Sequence, residues 1–386
     1  MSRAKIVIFS ALYMPHLGGV EKYSQSIAAE LSKTDQVTVF CMNTENMTPA
    51  DQREGNVEVQ YLPCFSLQNG RFPVPKPAAA RFLKDWFRSN RADFGIVQCR
   101  FYLLSLLGCQ ILSKHGIPFI QIEHGAGDII MPDPLVNWVW HRYDALLTRI
   151  EKRIPHDYYA VSQAGLNWLG HYGIQGIGVI SNSIAPQDFS EAAGHPGAWR
   201  KKHNIPDDAV LITYSGRIMR EKGVTDLLEA FDRLHGEKLY LVIAGGGDEK
   251  LILPWTGRER IIFTGQLPFE EIPFLLTDTD IFCLPSHFIE GMPTGVLEAG
   301  MCGNAVVVTA SGGSLEIVPD HDHGRLIPEK DVTALAGAVQ ELIDDPAERK
   351  RIGENLHRRI LEKFTWKAAA KNVHEAMEKC GALTNG

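Results

Sequence analysis

A chain of 386 residues, 45% hydrophobic and 22% charged, is long enough for two domains with sizeable cores and too apolar to stay disordered. Its formal net charge of -7 argues against nucleic acid as the main partner, which needs a basic face. Seven scattered cysteines, with no CxxC pair and no ligand-like spacing to histidine, read as reduced cytosolic thiols in cores; no run approaches the ~18 apolar residues of a membrane span.

KIVIFSA (5–11) follows basic residues, as a signal peptide would, but LGGVEKYSQSIAAEL stands where a cleavage site should lie. The run reads as a first strand, LGGVEK as a loop and KYSQSIAAELSK as a helix. Gly18 and Gly19 in that loop could turn backbone N–H groups toward a phosphate, although the spacing is not GxGxxG and a plain turn is the other reading. Short apolar runs then alternate with helical patterns: QVTVFCM, VEVQYLP, FGIVQCR, PFIQIEH, DYYAVS and IGVISNS. This alternation predicts a parallel sheet covered on both faces.

Residues 71–91 carry six Lys/Arg and one Asp, with helical spacing from Ala78. Arg81, Lys84, Arg88 and Arg91 form a stripe beside Phe82, Leu83, Trp86 and Phe87. The segment reads either as a membrane-surface helix or as an amphipathic helix on the first sheet. His124 ends FIQIEH beside Gly125 and could donate to a sugar hydroxyl or a developing charge, or be a satisfied core histidine. Asp128 is a weaker, acceptor-side candidate.

Residues 182–209, rich in Pro, Gly and charge, look like a linker. The device then restarts with AVLITYSGRIMREKGVTDLLEAFDRL (209–234), followed by LYLVIAGGGDEKL, RIIFTGQLP, DIFCLPS and NAVVVTA. The expected architecture is α/β: two doubly wound, Rossmann-like domains, 1–185 and 186–365. Ligands in such sheets bind beyond the carboxyl ends of the strands, so the strand ends are expected to define a cleft.

Arg217 and Lys222 follow the first strand of this half, a fork and a point charge suited to a pyrophosphate. Glu290 and Glu298 bracket GMPTG, where a strand ends and a helix starts. Pro293 suits the helix's first turn, Gly291 and Gly295 admit close approach, and the first turn offers free N–H groups. Carboxylates only accept hydrogen bonds, so each Glu could grip the hydroxyls of one polyol, one on either side of a phosphate. A nucleotide-sugar has that order. Solvated charges around turns are the bland reading of each pair. Asp278-Thr279-Asp280 has the DxD form of a metal-binding signature, but it precedes the strand IFCLPS and so lies at the wrong end. The DHDH at 320–323 reads as a surface turn.

These segments together resemble the GT-B family 4 glycosyltransferases across nearly the whole chain, most strongly from about residue 160. The resemblance rests on VSQAGLNWL, on GVISNSIAPQDF (with Ser183 where the family has Gly), on YSGRIMREKGVTDLLEAF, on IEGMPTGVLEAGMCGNAVVVT, on GGSLEIV and on FTWKAAA. It implies that Glu298 binds the ribose, Glu290 the donor sugar and Gly19 the distal phosphate. His124 would touch the donor sugar. Main chain of Met292, Pro293, Thr294, Gly295 and Val296 would line the phosphates, and main chain near Gln266 and Leu267 the base. It implies a retaining transfer without cofactor or essential metal, from a nucleotide-sugar to a glycan or lipid-linked acceptor. It also implies a C-terminal helix within 366–386 that returns to the first domain. An epimerase on the same architecture and a non-catalytic sugar-nucleotide- or glycan-binding subunit are the rival expectations.

Overall fold

The computed structural model describes residues 3–16, 18–48, 53–67, 70, 72–127 and 133–382; Asp128 lies outside the described residues. The chain divides into two compact units, Met1–Asn182 with Trp366–Gly386, and Ser183–Thr365.

The first unit is built on an eight-stranded sheet. Its strands are β1 (Lys5–Phe9), β2 (Gln36–Met42), β3 (Arg53–Glu54), β4 (Val57–Leu62), β7 (Phe94–Gln98), β8 (Phe119–Glu123), β9 (Asp157–Ala160) and β10 (Gly178–Val179). The order is β10-β9-β8-β7-β1-β2-β4-β3, parallel except for the edge strand β3. Strands β5 (Cys64–Leu67) and β6 (Phe72–Pro75) form a separate antiparallel hairpin. All five residues of β7 and of β8 are buried, as expected of strands covered on both faces. The covering helices are α1 (Gly19–Leu31), α2 (Pro77–Ser89), α3 (Leu103–Lys114), α4 (Pro134–Glu151) and α5 (Gln163–His171). The chain builds from β1 toward β2 and then returns to β7 on the other side, so the topological switch lies between β1 and β7.

Four particulars differ from the sequence reading. Of IGVISNS, only Gly178–Val179 forms a ladder. The hairpin was not anticipated: Pro73 and Pro75 lie inside β6, where proline is tolerated only because the strand is an edge. Helix α4 escaped notice because its outward face is itself apolar, which blurs the helical period. Helix α2 uses most of its apolar side on the sheet: Ala79, Leu83 and Phe87 are buried and the Trp86 ring meets Phe40 edge-on at 5.0 Å. Of its large apolar side chains Phe82 stays outside, with the basic stripe, and Arg91 falls beyond the helix end.

The second unit carries six parallel strands: β11 (Val210–Ser215), β12 (Leu239–Ala244), β13 (Ile261–Gly265), β14 (Ile281–Leu284), β15 (Ala305–Thr309) and β16 (Arg325–Ile327), in the order β13-β12-β11-β14-β15-β16. Its helices are α6 (Ser190–Ala193), α7 (Ala198–Lys202), α8 (Val224–Phe231), α9 (Ile272–Thr277), α10 (Thr294–Met301), α11 (Ser314–Ile317), α12 (Val332–Asp344) and α13 (Pro346–Lys363). Here the switch point lies between β11 and β14. The loops that follow these two strands carry Arg217 and Lys222, and Glu290. Helix α14 (Trp366–Lys379) belongs to the first unit: Trp366 meets Tyr23 of α1 at 5.3 Å and His374 Nε2 lies 2.8 Å from Asp35 Oδ2.

Candidate active site

In the second unit the end of β11 is locked before it reaches Arg217. Gly216 N–H donates to Ala244 O at 2.9 Å, Ile218 N–H to Gly246 O at 2.8 Å, and the Tyr214 hydroxyl to Arg217 O at 2.7 Å. The Arg217 backbone is thereby fixed while its side chain stays exposed. A short turn, Arg220–Lys222, leads to Gly223 at φ 70, where a Cβ would collide with Pro285 O. Glycine is therefore required for the loop after β11 to press on the end of β14.

That closeness brings Lys222 onto Glu290. The ammonium pairs with Oε1 of the carboxylate, which also accepts from the Ser286 hydroxyl at 3.1 Å. The backbone of the same loop is tied down from two sides. His287 N–H donates to Glu221 O at 2.7 Å, and Gly313 N–H to Glu290 O at 2.9 Å. The His287 ring meets Asp226 Oδ2 at 2.7 Å. Ser286, His287 and Asp226 were not singled out from the sequence; only their spacing from Glu290 and Lys222 could have suggested them.

Helix α10 then starts with Pro293 in the cap position rather than in the first turn, with no side-chain cap. An uncapped start leaves backbone N–H groups for another acceptor. Met292, Pro293 and Val296 are buried, whereas Thr294 and Gly295 keep open surface. Gly295 is tightly flanked: a Cβ there would stand 3.2 Å from the Phe282 ring and 3.3 Å from Ser215 O. Glu298, one turn along, is half-buried, and Gly291 is only partly covered. Gln266, just past β13, is exposed, while Leu267 is half-buried and packs on a core cluster.

In the first unit Gly18 caps α1 and Gly19 begins it, so the loop is shorter than the sequence suggested. A Cβ at Gly19 would meet nothing within 4 Å, which leaves its backbone approachable. Two further residues belong to this turn: His16 Nδ1 lies 2.9 Å from the buried Glu21. His124 stands at the end of β8. Glu123 Oε1 accepts from both His124 N–H and Gly125 N–H at 3.0 Å, and Arg100 reaches Glu123 at 3.3 Å. Arg100 also grips Asp144 and Thr148 of α4. Burial pushes the His124 imidazole down to about 3, so it is neutral at ordinary pH. Its Nε2 lies 2.7 Å from the side-chain amide of Gln98, which fixes the orientation of the ring.

Asp278 and Asp280 have structural work. Asp278 accepts from Gly197 N–H at 2.6 Å and Arg200 N–H at 2.9 Å, and Asp280 Oδ2 takes Arg200 Nη2 at 2.6 Å and Leu211 N–H at 2.9 Å. Both precede β14, at the end opposite the Glu290 loop. Among the described residues no group of three or more His, Cys, Asp or Glu could hold a metal ion.

Residues 17–188 match Glycosyltransferase Family 4, and residues 197–359 match Glycosyl transferases group 1. The chain is a GT-B glycosyltransferase of family 4. The glycosyltransferase is 26% identical to an uncharacterised glycosyltransferase of Methanocaldococcus jannaschii, over 98% of this chain and 99% of that one. It is 24% identical, over 95% and 96% of the two chains, to the GDP-mannose-dependent alpha-(1-6)-phosphatidylinositol monomannoside mannosyltransferase of Mycolicibacterium smegmatis. Among solved structures it resembles Anabaena HepE in complex with UDP, with a TM-score of 0.75 at 18% identity, covering 97% of this chain and 100% of that one.

Proposed function

We propose that this glycosyltransferase moves a sugar from a UDP- or GDP-linked donor to a hydroxyl of a glycan or lipid-linked acceptor, with retention and without an essential metal. The observation that carries the reading is the Lys222–Glu290 pair at the β11/β14 switch point, beside the uncapped start of α10. Arg217, Lys222 and the first turn of α10 then take the pyrophosphate, Glu298 the ribose, and Glu290 the sugar. The backbone at Gln266 and Leu267 takes the base. In the first unit, Gly18 and Gly19 and the neutral ring of His124 are assigned to the distal phosphate and a sugar hydroxyl, and Asp128 to the acceptor. The names of the relatives support both bases, GDP-mannose in one and UDP in the other. The phosphatidylinositol monomannoside in the first name supports glycolipid assembly as the setting; assembly of a cell-surface polysaccharide and a cytoplasmic location are further parts of the proposal.

Glu290 is held by Lys222 and Ser286, an arrangement that aims a carboxylate at hydroxyls rather than freeing a nucleophile. For a transfer with retention, this favours same-face attack assisted by the leaving phosphate. Trapping a covalent glycosyl-enzyme would refute it.

Calorimetry with UDP, GDP, ADP and their sugar conjugates, with and without EDTA, tests the site. One nucleotide should bind equally well in EDTA and be lost in Glu298→Ala at unchanged melting temperature. Donor turnover without acceptor would favour an epimerase, and binding without any transfer a binding subunit. Wild-type transfer rates in Glu298→Ala and Lys222→Ala would sink the proposal.

A further inference from the structure

Helix α4 turns its apolar residues the wrong way for a core. Leu135, Trp138, Val139 and Leu146 are 70%, 57%, 52% and 57% exposed. With Arg142, Ala145 and Arg149 they follow the spacing i, i+3, i+4, i+7, i+10, i+11, i+14. At ~100° per residue this is one stripe about 120° wide along the whole helix. The Arg142 guanidinium stacks 5.3 Å from the Trp138 ring, inside the stripe.

The acids of the helix lie on the opposite side. Asp144 and Glu151 are both buried, the first on Arg100 and the Tyr172 hydroxyl, the second beside Gln121. Asp133 caps the N-terminus, accepting from Leu135 N–H and Val136 N–H at 2.9 and 3.0 Å. The exposed charges along the stripe are Arg142 and Arg149, and Lys152 and Arg153 follow the helix end. A chain of net charge -7 thus presents a cationic, apolar face here. The neighbouring hairpin, which touches Trp140 of α4 through Phe72, repeats the combination: Phe65 is 54% exposed with the Lys76 ammonium 5.0 Å over its ring.

We propose that this face of α4 docks the protein on an anionic lipid bilayer. Leucine, valine and tryptophan enter the acyl boundary while the arginines meet lipid phosphates, as in a helix lying in the interface plane. Stacked over Trp138, Arg142 keeps its charge at headgroup level. A second copy is the poorer occupant, because two identical stripes would bring Arg142 and Arg149 against like charges. Helix α2 is also poorer, because its apolar side is spent on the sheet. The inference stands whether or not the transfer reaction is as proposed.

The test is sedimentation of the full chain with phosphatidylcholine vesicles, with and without phosphatidylglycerol, at low and high salt. The wild type should bind only the anionic vesicles and be released by salt. Brominated lipid should quench its tryptophan emission. Trp138→Ser with Val139→Ser, and separately Arg142→Glu with Arg149→Glu, should each lower binding by about tenfold or more, at unchanged melting temperature. Arg81→Glu with Arg88→Glu should bind as the wild type does. Wild type left in the supernatant, or α4 variants that bind normally, would overturn the proposal. So would a dimer in light scattering that the Trp138 variant dissociates, which would assign the face to a second copy.

Discussion

Glu151 is a carboxyl with no room for a charge. It is fully buried on α4, and burial pushes its pKa well above the usual carboxylate range, despite a 3.3 Å contact from Gln121 Nε2. Above the unfolded value of about 4.5 the unfolded chain gives up this proton while the folded chain keeps it. Stability is therefore lost as pH rises from there, until the folded carboxyl titrates. An amide has no proton to hold. Glu151→Gln should gain on the wild type as pH rises, by about 1.4 kcal/mol per pH unit within that window, in urea melts at pH 5 and pH 8. Equal gains at both would mean that the carboxyl is ionised in the fold. His124 works in the opposite direction. Its imidazole is pushed down to about 3, so between about pH 6.5 and 3 the unfolded chain binds a proton that the folded chain refuses. Its share of stability is complete above that window and falls as pH drops through it. NMR should show this ring neutral from pH 5 to 9; a midpoint near 6.5 would show that the site is wet.

At the scale of elements, what could be read from the sequence is what a single strand end determines. DIFCLPS followed by a Gly- and Pro-rich loop and a helix could hardly be anything but β14, the Glu290 loop and α10. Glu290 and Lys222 could be nominated because each lies at a strand's carboxyl end. What could not be read was partnership across the chain. The contact of Lys222 with Glu290 depends on β11 and β14 being neighbours, a fact of strand order that no local pattern contains. Gln98, whose side chain holds the His124 ring, comes from a different strand, β7. The same holds for Asp278, Thr279 and Asp280, whose rejection as a metal signature rested on position alone. The actual work of Asp278 and Asp280, holding Gly197 and Arg200 some eighty residues upstream, is non-local, as is the contact of the Thr279 hydroxyl with that of Thr213 on β11. Asp278→Ala removes the acceptor of two N–H donors at a site only 7% exposed. It should cost about 3 kcal/mol in denaturant unfolding, at roughly 1.5 kcal/mol per charge-assisted bond. Added Mn²⁺ or EDTA should not shift the melting of the wild type. A metal-dependent shift lost in Asp278→Ala would reinstate the metal reading.

At the scale of the whole molecule, the chain leaves its first unit at residue 182 and re-enters it at 366. The two crossings run side by side, with Ile184 N–H donating to Phe364 O at 2.9 Å. The last helix is thus a component of the first unit's core, although it is encoded after the whole of the second. Trp366 is 5% exposed against Tyr23, and Tyr23 also meets the His124 ring edge-on at 4.6 Å. One aromatic ring, Tyr23, thus links the C-terminal helix to the strand end that carries His124. Trp366→Ala should therefore cost about 3–5 kcal/mol, with loss of amide protection confined to the first unit, residues 3–182 and 366–382. Donor-nucleotide binding by the second unit should persist, because Lys222, Glu290, Glu298 and α10 keep all their neighbours. Transfer should fall by more than the lost stability explains, because the Tyr23 ring that flanks His124 loses its backing. Protection lost in 183–365 instead would show that α14 supports the other unit, and would break the argued link from the chain's last helix to His124.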